Sequence, residues 1–331
     1  MDREQEEVQF LGFFGIIKES ANIIISRRKI FAQITLALVL PLSLIFLGHI
    51  VISESMYGEI FINEIRLLHT QMGTPRYNKL YDILASGYTA FFTFTIVYYI
   101  ILLIFSLLST SAVVYTIACI YTGKEINFRK VMRVVPKVWK RLMLTFVWSS
   151  VIICVYNFIA VLMLAFCTTF FYDIARMVFF VFFIFYLLGL IYISTVWHLA
   201  NVVSVMEDCQ GLHAMIKSKK LVDGKTMVAA TFYTMFSLSL ISIQEAMAVI
   251  CADGVPVPPS SKLGYEFLCC LILVVLFSCG LVIQTIIYFV CKSYHQESID
   301  KSTLADHLEV YIGEEYEPLK HTDIHLEQFH V

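Results

Sequence analysis

The chain has 331 residues, 59% of them hydrophobic and only 15% charged, with a mean hydropathy of +0.77 and a formal net charge of −2. That balance excludes an ordinary soluble domain, and near-neutrality excludes a polyanion binder acting through overall charge. Long apolar runs joined by short polar connections predict an all-α fold, a polytopic transmembrane bundle of about six helices with cytosolic amphipathic helices.

Residues 1–29 read as a cytosolic interfacial segment. Its acidic start carries no signal-peptide pattern. Phe10, Phe13, Phe14, Ile17 and residues 23–25 then form an apolar face that ends in Arg27, Arg28 and Lys29. A six-helix membrane domain follows over 30–291, with spans expected at about 30–53, 85–108, 142–168, 176–206, 226–250 and 266–290. Each is long enough for a hydrocarbon core of roughly 30 Å. Pro41 should kink the first span, since a helical proline loses a hydrogen bond and crowds the preceding turn. Residues 54–82 form the longest polar connection outside the tail, with Gly73, Thr74 and Pro75 as its turn signal.

The run 85–121 is harder to read. As one helix it would be about 55 Å long, too long for a single upright span and too short for two with a turn. It contains no proline. It reads as one span, with Ser109, Thr110 and Ser111 marking where the helix leaves the membrane and projects into the cytosol. Later come a short connection at 169–175, with an aromatic belt of Phe170, Phe171 and Tyr172, a proline-rich outer loop at 252–261, and a polar cytosolic tail over 292–331.

Residues 127–141, NFRKVMRVVPKVWKR, hold Arg129, Lys130, Arg133, Lys137, Lys140 and Arg141, six of the 24 Lys and Arg. On a helix, Val131, Val134, Val135 and Val138 make one apolar stripe, with the cations on another face. Pro136 should kink or split that helix. The pattern suits a helix lying at the cytosolic surface of a membrane, or else a solvated basic loop that only fixes orientation. A second cluster, Lys217, Lys219, Lys220 and Lys225, lies in the connection before the fifth span. With both termini in the cytosol, only Arg66, Arg76, Lys79, Arg176 and Lys262 fall outside, so 24 − 5 = 19 basic residues lie within. The three inner entries, 8–29, 127–141 and 211–225, each run amphipathic helix, basic cluster, span. This reads either as a threefold repeat of helical hairpins or as independent topogenic charge.

Chemistry inside the spans is sparse. His198 and Asn201 sit one turn apart on the fourth helix, and Gln244 and Glu245 lie on the fifth. Intramembrane polar groups are functional candidates by default, yet His198 and Glu245 fall at different depths. The expectation for all four, and for Gln33 and Gln284, is interhelical hydrogen bonding. No nucleophile elbow, P-loop, HExxH or paired carboxylate occurs, and neither a metal site nor a cofactor is expected; His321 and His325 sit on a polar tail. The expectation is no enzyme. Cys167 and Cys251 share the outer side, where one disulfide could close. In the tail, Tyr316 and Leu319 fit a tyrosine-based sorting pattern, implying trafficking adaptors as partners.

Two resemblances add to this. Residues 203–208, VSVMED, with 211–225, GLHAMIKSKKLVDGK, resemble a pattern in the membrane domain attached to bacterial glycerophosphodiester phosphodiesterases, which implies a six-helix bundle. No soluble segment is long enough for the catalytic domain of those enzymes. Across nearly its whole length, through 9–20, 28–35, 136–141 and the tail segments 307–311 and 326–329, the chain resembles a plant family of uncharacterised six-span membrane proteins, some labelled as binding a polyadenylate-binding protein. No motif here supports that label, and no nucleic acid is expected as a partner. The reading is a membrane scaffold or lipid-organising protein of the endomembrane system or plasma membrane, whose basic cytosolic collar grips anionic lipid. The alternative is a transporter or channel for a small solute or ion.

Overall fold

In the computed structural model the described residues are 10–123, 126–170, 175–251 and 258–296. Among them there is no strand, and six helical stretches are long and apolar enough to cross a membrane. The protein is therefore a multi-pass integral membrane protein. The tail with Tyr316 and Leu319, the histidines 321 and 325, and the expected belt residues Phe171 and Tyr172 lie outside the described residues.

Helix α1 (Phe13–Ser26) packs Ile16, Ser20 and Ile23 inward at helical spacing and leaves Phe14 exposed. Helix α2 (Arg28–Ile34) runs into a π-helical turn at Thr35–Val39 and then into α3 (Leu40–Leu68). The π turn lies immediately upstream of Pro41, whose missing N–H and bulky ring disturb the ladder there. The kink signal in the sequence thus appears as a widened turn. Helix α3 does not stop where the polar residues begin. Most of the connection expected at 54–82 is helical, belonging to α3 and to α4 (Pro75–Thr122). The loop itself is short: Gly73 takes φ of +83°, the Thr74 hydroxyl accepts from the Tyr77 amide at 3.2 Å, and Pro75 starts the next helix.

Helix α4 is one continuous element of 48 residues, about 72 Å. The part of the helix from Ser109, Thr110 and Ser111 onward, read in the sequence as projecting into the cytosol, is packed among other helices. These residues are 0%, 6% and 1% exposed, and burial continues through Cys119. Each hydroxyl donates to the carbonyl four residues back, at 2.7–2.9 Å, so the small polar side chains are satisfied within their own helix and let neighbours approach closely.

Helix α5 (Phe128–Phe170) contains Pro136 without being split. Val131, Val134, Val135 and Val138 are each at most 1% exposed. Burying four valines gains roughly 1.5–3 kcal/mol apiece, against about 3 kcal/mol for an interior proline, so packing prevails. Helix α6 (Ala175–Met206) returns, α7 (Leu212–Val222) crosses the end of the bundle, and α8 (Thr226–Cys251) and α9 (Pro259–Tyr294) complete it. Cys167 and Cys251 are free thiols, not a bridge.

The main core lies at one end. It joins residues 107–119 of α4, 131–142 of α5, 196–206 of α6, 214–222 of α7, 282–291 of α9 and the start of the chain. We call this the basic end. Away from it α3 stays packed against α4, α8 and α9, with a second cluster that includes Leu47, Met247 and Leu273, whereas the α5–α6 hairpin stands apart. Between Ser149 and Thr195 no described side chain is buried.

Candidate functional site

The basic end is closed by one carboxylate. Glu207 follows directly on α6 and is paired with Lys217 of α7 and with Lys292 of α9 at 2.9 Å. The Tyr288 hydroxyl donates to it at 2.6 Å. Burial alone would raise the pKa of this group, but the donors from Lys217, Tyr288 and Lys292 outweigh it and hold the carboxyl below its ordinary range. Nearby, Arg141 pairs with Asp208 at 2.8 Å, and Thr145 hydrogen-bonds Ser204 and accepts from the Gly211 amide. The Ser218 hydroxyl donates to the Val196 carbonyl at 2.7 Å, fixing α7 to α6.

Of the ten cations expected to contact anionic lipid, three are engaged within the protein. Arg141 and Lys217 hold carboxylates, and Lys225 lies 5.3 Å over the Tyr294 ring. Arg129, Lys130, Arg133, Lys137, Lys140, Lys219 and Lys220 are exposed. The stretch 127–141 is not a helix lying on the surface by its apolar face, because that face is consumed by the core and the segment continues directly into α5. Arg129 therefore stands about 17 Å along the helix axis from Lys140, roughly two Debye lengths at physiological salt.

The intramembrane polar residues divide. Gln33, Gln244 and Glu245 are exposed rather than bonded between helices. Gln284 does bond across helices, donating from Nε2 to the His198 carbonyl at 2.5 Å. His198 and Asn201 face a cavity of about 550 Å³ to which every spanning helix contributes: Phe46 from α3, Tyr99 from α4, Phe146 from α5, His198 from α6, Tyr233 from α8 and Phe277 from α9. The His198 ring is stacked on Tyr233, with centroids 4.6 Å apart and planes 8° apart, and the Trp197 ring lies 5.3 Å from it with planes 23° apart. Three polar atoms of the lining residues are buried without a hydrogen-bond partner: Trp197 Nε1, Asn201 Oδ1 and Tyr233 Oη.

His198 and Asn201 were visible in the sequence as intramembrane polar residues. Trp197 and Tyr233 were not, since an aromatic residue in an apolar helix is ordinarily packing or belt. Nor did Glu207 stand out as a hub, although an acidic pair (Glu207 and Asp208) ending an apolar run just before a lysine cluster is a signal for one. Among the described residues no group of His, Cys, Asp or Glu is arranged to hold a metal ion.

No curated protein and no solved structure matches the chain. It matches a family over residues 1–329, and so this six-span protein with its core at the basic end and its cavity among the spans belongs to the family described as a domain of unknown function, DUF8558.

Proposed function

We propose that this membrane protein binds and organises lipid, admitting an amphiphile between its parted hairpins while the exposed cations of the basic end hold anionic headgroups. The observation that carries the reading is the chamber to which all six spanning helices contribute, beside the main core of the bundle. A concave, largely apolar site with a few convergent polar groups is the usual form of a small-molecule site. In this reading both termini are cytosolic, and Lys137 and Lys140, nearest the apolar part of α5, contribute most of the headgroup attraction, about 1 kcal/mol each. Arg129, Lys130 and Arg133 stand too far out to contribute as much.

A transporter is the second reading, favoured by the same chamber within three helical hairpins. Against it, no row of charged side chains leads to the chamber. Native mass spectrometry of the protein purified from membranes tests the first reading. Wild type is expected to retain defined lipid, and the Lys137→Gln/Lys140→Gln variant to lose the anionic species selectively. Retention no greater than that of an unrelated membrane protein refutes it, and solute flux in proteoliposomes would then favour the second.

A further inference from the structure

A second recess lies where the chain enters its first span. Helix α9 packs against α1 and against the π-helical turn at Thr35–Val39, whereas α2, the element between them, packs mainly on α4 and α5. The gap left beside α2 is a groove of about 460 Å³. Phe31 is buried behind it, while Leu36 and Val275, 69% and 61% exposed, open it outward. Thr35 and Ser278 join its two walls by a hydrogen bond of 3.3 Å, so their hydroxyls satisfy each other and leave the interior apolar. Among the described residues that line the groove, Arg28 alone is charged, and no carboxylate faces it. Arg28 is exposed, as are its neighbours Arg27 and Lys29. The first candidate span begins at Arg28. From there to Leu40, the deepest lining residue of this segment, the helix advances 12 residues (40 − 28), about 18 Å. That is roughly the depth of one leaflet of a hydrocarbon core about 30 Å thick.

We infer that this groove between α2 and α9 is a site for an anionic phospholipid, one chain lying along Phe31, Leu36 and Val275 and the phosphate meeting Arg28 at the boundary. The groove has a cation at one end only, an apolar wall for the depth of one leaflet and an open side, which is the outline of a lipid rather than of a soluble ligand. A guanidinium forks two N–H donors onto a phosphate. A net-anionic head offsets the three adjacent cations, whereas a choline or ethanolamine head brings a further cation to them. The inference extends the proposed lipid-binding reading to a discrete place, apart from both the chamber and Lys137 and Lys140.

The probes are phosphatidylserine and phosphatidylcholine with the same diazirine-bearing chain, placed at equal mole fraction in nanodiscs holding the full protein. After irradiation, labelled peptides are mapped by mass spectrometry. Phosphatidylserine is expected to label residues 31–40 and 274–279 about fivefold more than phosphatidylcholine, the selectivity one basic residue confers near a charged surface. Arg28→Gln should bring the two lipids level at these residues. Ala32→Phe, which fills the groove without changing charge, should remove labelling there by both lipids while labelling of the exposed α5–α6 hairpin persists. Lys137→Gln/Lys140→Gln should leave the groove's selectivity unchanged. Equal labelling by the two lipids on wild type, or a preference that survives Arg28→Gln, overturns the inference. If the purified protein still retains lipid in native mass spectrometry, the lipid-binding reading stands without it; if no lipid is retained either, both fall. Should Ala32→Phe fail to fold, wild type against Arg28→Gln still decides.

Discussion

At the residue scale, two contacts decide signs that composition alone would leave open. A glycine inside a helix usually gains about 0.5–1 kcal/mol on replacement by alanine. Gly189 should not. A Cβ there would lie 2.3 Å from the Tyr156 hydroxyl, which donates to the Tyr186 carbonyl at 2.8 Å and so ties α5 to α6. Gly189→Ala should therefore destabilise by about 1–3 kcal/mol, measured by reversible unfolding in mixed micelles, and Gly189→Ala/Tyr156→Phe should recover part of the loss. Glu207 is the second case. Because its folded pKa is depressed, its contribution is fully present above the unfolded value of about 4.3 and fades as pH falls through the lower folded value. Wild type should lose stability on acidification through that window, and Glu207→Gln should show a flatter profile. Glu207→Leu, which strands Lys217 and Lys292, should cost about 3–5 kcal/mol at neutral pH. Neither contact was legible in the sequence. The glycine is unremarkable until the fold brings in a tyrosine 33 residues away (189 − 156), and the acid, conspicuous at the end of an apolar run, does not show that its partner is a lysine 85 residues away (292 − 207).

At the scale of elements, the spans were legible because a run of some twenty apolar residues has few alternatives, and the turn at Gly73–Pro75 because its residues have specific backbone roles. The continuation of α3 and α4 beyond the apolar runs was not, since polar residues on a solvated helix carry no apolar period. The burial of the inner part of α4 was not legible for a different reason. A Ser-Thr-Ser run counts as polar in sequence, but donation of its hydroxyls to carbonyls one turn back lets it pack in the core. Accessibility can test that packing. With other cysteines replaced, Val113→Cys should resist a membrane-impermeant maleimide, whereas Arg133→Cys should react, since Val113 is 2% exposed and Arg133 lies on an exposed face. Rapid labelling at position 113 would restore a free projection.

For the whole molecule, sequence gave no hint of where the helices would pack, because in a membrane apolar residues face lipid and protein alike. Density falls along the bundle axis, from a core with almost no exposure to an α5–α6 hairpin in which no described side chain between Ser149 and Thr195 is buried. Electron–electron distance measurements should follow that gradient. Spin labels at 133 and 219 should give one narrow distribution, and labels at 61 on α3 and 163 on α5 a broad one that narrows when the chamber is filled. Equal widths at both ends would contradict a bundle held at one end.

That gradient has a mechanical consequence. Arms anchored at one end act as levers, and α5 runs 17 residues beyond its last buried side chain, Ser149, to Phe166 (166 − 149), about 26 Å. A rotation of roughly 4° at the anchorage moves such a tip by about 2 Å, comparable to the small helix shifts that accompany functional switching. A force applied to the exposed part of this hairpin therefore acts through a longer arm than one applied at the buried end.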